Sequence, residues 1–153
     1  MSIFRPEHGY VIGCVVSSWA IHHIYMALSV GKARKTYKVP YPELYATKEN
    51  CSKEEDRKMF NCIQRGHQNS LENQPIFLAL LMSAGVRYPI TAAVAGACYL
   101  IGRIGYFSGY STGSPNGRYR LAIVQYAGLL TLIGTCISAA VELVHGTSPL
   151  LTA

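Results

Sequence analysis

Charge is scarce in this chain. Only 14% of its 153 residues are Asp, Glu, Lys or Arg, against roughly 25% in an average soluble protein. Carboxylates are the scarcest of these: between Asp56 and Glu142 the sole acidic side chain is Glu72. Five cysteines are an odd number with no C-x-x-C spacing, so neither a disulfide framework nor a zinc site is indicated. Cys14, Cys98 and Cys136 lie in apolar segments, where a thiol behaves as a small hydrophobe. Cys51 and Cys62 lie in a polar segment, and lipidation of either is not expected. Ser-His-Asp order, a Cys-His pair and metal-ligand spacing are all missing, so no side chain reads as a nucleophile and no metal is expected. The net charge of +6 would suit nucleic acid, but the cations form no stripe beside exposed aromatics.

What the chain does have is apolar length. Half of its residues are hydrophobic, and the cations gather at the ends of the apolar stretches. Residues 11–30 are 20 positions without a charged side chain and residues 121–141 are another 21, each long enough to cross a bilayer. The first is followed at once by Lys32, Arg34, Lys35 and Lys38, a stop-transfer flank that marks a retained span and not a cleaved signal peptide. His22 and His23 inside it read as packed or interfacial. Residues 46–58 mix charges with few apolar residues and predict a solvated loop or a short exposed helix. The spans are therefore about 11–30, 60–86, 90–110 and 119–144, with a loop over about 31–59, in a single domain. Nine Lys or Arg between residues 31 and 65, plus Arg118 and Arg120, face only Arg5 and Arg87 on the other side. This asymmetry puts the first and third loops in the cytosol. The fold class is all-α, an integral membrane four-helix bundle.

The second span departs from the pattern. On a helix Arg65, Gln68, Asn69 and Glu72 recur at i, i+3, i+4 and i+7 and share one face. Polar groups at membrane depth are costly and usually face a bundle interior or a wet cavity. The apolar half after Pro75, which should kink the helix, is too short to span alone. In the third span Tyr99, Arg103, Tyr106 and Tyr110 also share a face, either as an interfacial belt or as part of a site. Its Ala92/Gly96 and Gly105/Gly109 spacings allow close helix approach. Arg34, the two stripes, Arg118 and Arg120 all belong to the basic end of the bundle. Guanidinium groups take carboxylates in bidentate fashion, and Glu72 can take an ammonium. The set suits a small polyanionic, amide-bearing ligand that brings its own nucleophile, although ion pairs that only join helices would use the same residues.

Three stretches carry a resemblance: Lys32-Ala33-Arg34-Lys35-x-Tyr37-Lys38-Val39, Phe60 to Gln68 with Asn69-x-Leu71-Glu72, and Gly102-Arg103-x3-Phe107-x-Gly109-Tyr110-x-Thr112-Gly113. They resemble the membrane-associated proteins in eicosanoid and glutathione metabolism (MAPEG). The resemblance implies a homotrimer in the endoplasmic reticulum membrane, with the outer mitochondrial membrane as a second location. It implies an enzyme that conjugates glutathione, its co-substrate, to a lipophilic electrophile such as leukotriene A4, or reduces a lipid hydroperoxide. Implied glutathione contacts are Arg34, Arg65, His67, Asn69, Glu72, Tyr106 and Tyr110, with Arg103 in support. Arg118 or Arg120 would activate the thiol, as an arginine after the third span does in leukotriene-forming relatives. Relative to that branch His67 replaces a glutamine, Asn73 a tyrosine and Lys35 a second arginine. The rival expectation is a non-catalytic, lipid-binding scaffold of the same fold that partners another membrane enzyme.

Overall fold

A computed structural model of the chain describes residues 5–146; the tail beyond residue 146, from which the sequence predicts nothing, lies outside the described residues. Four long helices carry the fold: α1 His8–Thr36, α2 Glu54–Arg87, α3 Pro89–Tyr110 and α4 Ala122–Val144. No strand occurs among the described residues. Helices α1, α3 and α4 are each long and apolar enough to cross a membrane. Their outer faces expose Ile12, Val94, Ile101, Leu130 and Ile137, a distribution that water would penalise and hydrocarbon would not.

Helix α2 is the long member, with 34 residues and so about 51 Å from end to end. Glu54, Glu55 and Asp56 fill its first turn and Arg87 its last, both favourable to the helix dipole. The helix starts at Glu54, several residues before the expected 60, because those three acids stabilise an N-terminus that the apolar pattern does not mark. It also continues through Pro75 without a break. Tyr88 joins α2 to α3, with Pro89 at the first helical position, where the missing N–H costs nothing.

Helix α1 extends beyond the expected span at both ends and contains a π-helical segment, Ala20–Met26, between two α-helical pieces. Lys38 at φ +55° then turns the chain out of the helix. Before α4 a short 3-10 helix, Pro115–Tyr119, and Leu121 at φ +55° redirect the chain, so α4 begins at residue 122 and not near 119.

The core joins all four helices through Val11, Phe77, Leu81, Tyr99, Leu100 and Leu132, with Phe77 and Tyr99 stacked at 4.2 Å between centroids. Helices α3 and α4 meet most closely. A Cβ on Gly102 would lie 2.6 Å from the Gln125 backbone, and one on Gly128 would lie 2.5 Å from the Ala95 carbonyl oxygen. The expected small-residue pairs behave similarly: Gly105 meets Leu121, Gly109 meets the Gly117 carbonyl, and Gly96 meets Leu81. At the far end Glu142 accepts from Arg87 Nε at 2.9 Å and from the Tyr88 hydroxyl, tying the α2–α3 turn to α4.

Residues 46–58 are mostly exposed, as the mixed-charge composition predicts, with a loop to residue 53 and the start of α2 after it; Ala46 and Cys51 are the buried anchors that fold this loop into a cap. Ala33, Val39, Ala46, Cys51 and Phe60 form a second small core. Asn61 holds Ala46 by both backbone groups, at 2.8 and 3.0 Å, and Arg57 Nη1 donates to the Cys51 and Ser52 carbonyls, each at 2.7 Å. The Asn61–Ala46 bonds join residues too far apart in sequence for local composition to show them. Cys51 and Cys62 are both buried.

Candidate active site

The polar stripe of α2 divides between two surfaces. Arg65, Gln68 and Glu72 stay on an outward face: Glu72 Oε1 accepts from Arg65 Nη1 at 2.9 Å and from Gln68 Nε2 at 3.3 Å. The Tyr45 hydroxyl donates to Gln68 Oε1, so the cap orients the amide that orients the carboxylate. The Arg65–Glu72 pair is 40% and 47% exposed, leaving its outer side open to a ligand or a neighbouring chain. Such an exposed pair adds little to stability, which leaves its ions available to exchange partners.

Asn69, one position further round, turns inward to Arg103. This arginine is 2% exposed and no acidic side chain forms a salt bridge with it among the described residues. Its Nη2 donates to Asn69 Oδ1 at 3.0 Å and to Ser70 Oγ at 2.7 Å, and its Nη1 to Gln125 Oε1 at 3.4 Å. The guanidinium also lies 4.4 Å from the Tyr106 ring centroid, while its buried Nε has no hydrogen-bond partner. Tyr106 in turn meets Tyr110 edge to face at 5.8 Å. Burying a cation carries a desolvation cost of several kcal/mol, which the bonds to Asn69 and Ser70 offset, and no carboxylate stands beside it among the described residues.

A cavity of about 270 Å³ opens at this point, lined by Asn69, Arg103, Tyr106, Arg118, Tyr119 and Gln125 among others, none of them acidic. One position on α3 and one in the 3-10 turn thus bring Arg103 and Arg118 to the same space. The turn gets there because Gly109 of α3 and Gly117 of the 3-10 helix lie backbone to backbone, with no room for a side chain between them. Arg118 Nη2 donates to the Tyr119 hydroxyl at 2.9 Å, and that bond raises the pKa of a guanidinium already charged at neutral pH. Arg120 is exposed and does not line the cavity.

Two residues expected among the ligand contacts are engaged elsewhere. Arg34 is buried, with Nη1 2.7 Å from the Glu43 carbonyl oxygen and within 3.4 Å of those of Val39 and Pro40, and it packs between Tyr41 and Phe60. It closes the cap onto α1. His67 faces α1, where its Nε2 donates to the His22 carbonyl at 3.0 Å. A π-helical turn widens the backbone ladder, and His67 takes up a carbonyl of that segment. Beside it His22 Nδ1 donates to the Ser18 carbonyl at 2.7 Å, His23 Nε2 to Gln74 Oε1 at 3.1 Å, and Gln74 Nε2 to Ser18 Oγ at 3.3 Å. His22 is packed and fully buried, whereas His23 is exposed beside Trp19, in keeping with the packed or interfacial reading. Among the described residues no group of three or more His, Cys, Asp and Glu is placed to hold a metal ion.

Ser70, Tyr119 and Gln125 complete the site but escape sequence reasoning. Only Gln125 leaves a trace, as the one amide in the charge-free stretch 121–141; Ser70 and Tyr119 look like ordinary helix and turn residues.

The chain matches the MAPEG family over residues 12–138. It is 36% identical over 118 residues to microsomal glutathione S-transferase 2 of Homo sapiens, covering 75% of this chain and 73% of that one. The Bos taurus protein of the same name is 33% identical over 118 residues, with the same coverage. Leukotriene C4 synthase of Bos taurus is 34% identical over 88 residues, 57% of this chain and 52% of that one.

Proposed function

From the premise that this membrane protein belongs to the MAPEG family, we propose that it is a glutathione transferase of lipophilic electrophiles, with a peroxidase activity at the same site. The observation that carries the proposal is the cavity holding Arg103 and Arg118 with no acidic residue in its lining. Glutathione offers what the surroundings lack: two carboxylates, an ammonium and a thiol that ionises. Arg65 would take a carboxylate, Glu72 the ammonium, and Asn69, Tyr106 and Tyr110 the amides, with Arg103 holding the inner anionic end. Arg34 and His67 would then act by shaping the cap and the α1–α2 joint.

Chemistry follows from charge. A free thiol titrates near ~8.5, and a guanidinium beside it favours the thiolate. Arg118 supplies that cation at the cavity mouth and cannot lose its proton. The thiolate attacks an electrophilic carbon, forming C–S as the leaving group departs, or, with an epoxide, as C–O breaks and the oxygen takes a proton. With a hydroperoxide it attacks the distal oxygen and the O–O bond breaks. The alcohol leaves, and a second glutathione thiol converts the sulfenate to the disulfide, releasing hydroxide, which takes a proton from solvent to give water. Lipophilic substrates reach the cavity sideways through the bilayer, past the apolar residues of α3 and α4. Assembly as a homotrimer in the endoplasmic reticulum or outer mitochondrial membrane, with the basic end in the cytosol, fits the exposed Arg65–Glu72 face and the charge asymmetry of the loops.

The test is the ultraviolet absorbance of glutathione thiolate on detergent-purified protein. Wild type and Arg120→Ala should form the thiolate and Arg118→Ala should not, while still binding glutathione. Wild-type protein that neither binds glutathione nor forms its thiolate would make the scaffold reading correct. Binding without any thiolate would leave the ligand right and the arginine mechanism wrong.

A further inference from the structure

Behind the Arg103–Arg118 cavity runs a buried polar seam between α1, α2 and α3. Helices α1 and α3 lie side by side and point the same way: a Cβ on Gly96 would lie 3.5 Å from Cys14 Sγ, and further along Tyr25 meets Phe107 edge to face at 5.6 Å. About one turn before that ring pair stand His22 on α1 and Arg103 on α3, at one level of the bundle. Helix α2 closes the third side with a single face. His67 Nε2 donates to the His22 carbonyl at 3.0 Å, Gln74 Nε2 donates to Ser18 Oγ at 3.3 Å, and Ser70, between them, accepts from Arg103 Nη2 at 2.7 Å.

His22 is fully buried. Its Nδ1 lies 2.7 Å from the Ser18 carbonyl oxygen, which can only accept, so Nδ1 carries the proton and Nε2 of the neutral ring is a lone pair. That Nε2 makes no hydrogen bond within the protein, and neither does Arg103 Nε, which is a donor. Of the titratable groups around the His22 ring, Arg103 acts on it most strongly, ahead of His23 and His67. A buried acceptor and a buried donor left unmade are costly, and one water satisfies both when it accepts from the second and donates to the first. We propose that His22 is a positioning residue for Arg103, linked to it by a single buried water between His22 Nε2 and Arg103 Nε–H. The link fixes the rotation of a guanidinium already bonded to Asn69, Ser70 and Gln125, so that less ordering is left for a ligand to impose. The effect on glutathione rests on the function proposed above; the link itself does not.

Nuclear magnetic resonance of glutathione-free wild type in detergent, labelled with nitrogen-15 in histidine and arginine, tests the link. His22 Nε2 should carry no proton, and Arg103 Nε–H should show a cross-peak to a long-lived water. A proton on His22 Nε2, or an Arg103 Nε–H that exchanges as freely as that of the exposed Arg120, overturns the proposal. Isothermal titration reads the consequence. His22→Asn keeps a donor for the Ser18 carbonyl but ends short of the water, and should weaken glutathione about three- to tenfold, the range of one hydrogen bond. His22→Gln carries an amide oxygen to where Nε2 stands and should recover most of that loss. In the Arg103→Met background His22→Asn should change affinity no further, because the water then has nothing to orient. Equal losses in both backgrounds, or no loss in either, would overturn the positioning role and leave His22 a packing residue. Wild-type protein that does not bind glutathione would refute the function proposed above, while the resonance measurement still decides the link. That measurement also stands if a variant fails to fold.

Discussion

Replacing Arg103 by methionine separates what the residue does for the fold from what it does for a ligand. A lone arginine near the middle of a membrane helix costs about 2.5–3.5 kcal/mol. Against this stand two good charge-assisted hydrogen bonds, at 3.0 Å to Asn69 and 2.7 Å to Ser70, and a long one at 3.4 Å to Gln125. Bonds of this class contribute about 1.5–3 kcal/mol each, so the good pair is worth about 3–6 kcal/mol and the net benefit of the arginine is about 0–3 kcal/mol. Methionine has similar length and no polar group to leave unsatisfied. Ser70 keeps its bond to the Gly66 carbonyl at 2.9 Å, so it is not orphaned. Arg103→Met should therefore cost at most about 3 kcal/mol of stability, yet lower glutathione affinity at least tenfold, the ~1.4 kcal/mol that one charged contact easily supplies. Thermal unfolding in detergent followed by circular dichroism, together with isothermal titration of glutathione, checks both halves. A loss above about 3 kcal/mol with unchanged affinity would refute the reasoning and make Arg103 a helix-joining residue.

Gly102→Ala places a methyl group 2.6 Å or less from Gln125, forcing α3 and α4 apart by about 1 Å at the cavity. It should cost about 1–3 kcal/mol, as overpacking does, and weaken glutathione binding through Gln125, measured by the same melting and titration. Asn61→Ala frees Ala46 from both of its bonds. That should cost about 1–3 kcal/mol and show as faster proteolysis within residues 37–53 with the helices intact. Tyr88 lies between the helices, and the bond to Glu142 raises its pKa above the usual tyrosine value of 10.0. A raised pKa stabilises the fold below the unfolded value and loses that contribution as pH climbs through the folded one. Tyr88→Phe should accordingly lower the melting temperature at pH 7, and the gap from wild type should close above pH 10; a gap that persists there would contradict the bond.

Periodicity exposed the helices because it is local: a charge-free run of 20 residues or a stripe at i, i+3, i+4 and i+7 needs no partner to be read. The cap over residues 37–53 was not legible, since the bonds that fold it, from Asn61 to Ala46 and from Arg34 to the carbonyls of Val39, Pro40 and Glu43, follow no repeating period. The stripe on α2 was found as a stripe, yet its division into an outward Arg65–Glu72 pair and an inward Asn69 depends on where Arg103 of another helix stands. Arg118 and Arg120 are equivalent in sequence; they differ only because the Gly109–Gly117 approach sets the turn's rotation. His67 looked like a stripe neighbour, and what draws it away is a carbonyl in α1 that no pattern marks as available.

The π-helical segment of α1 also bears on how this chain is lined up with its relatives. A turn closed between residues five apart holds one more residue than an α-turn, so the two halves of α1 keep their faces as if one position between Ala20 and Met26 were absent. A relative whose first helix is regular throughout would carry one residue fewer there and still present the same two faces. Alignments should open a single gap inside this segment; without it, every residue on one side, Arg34 and the three lysines included, is matched to the neighbour of its true counterpart.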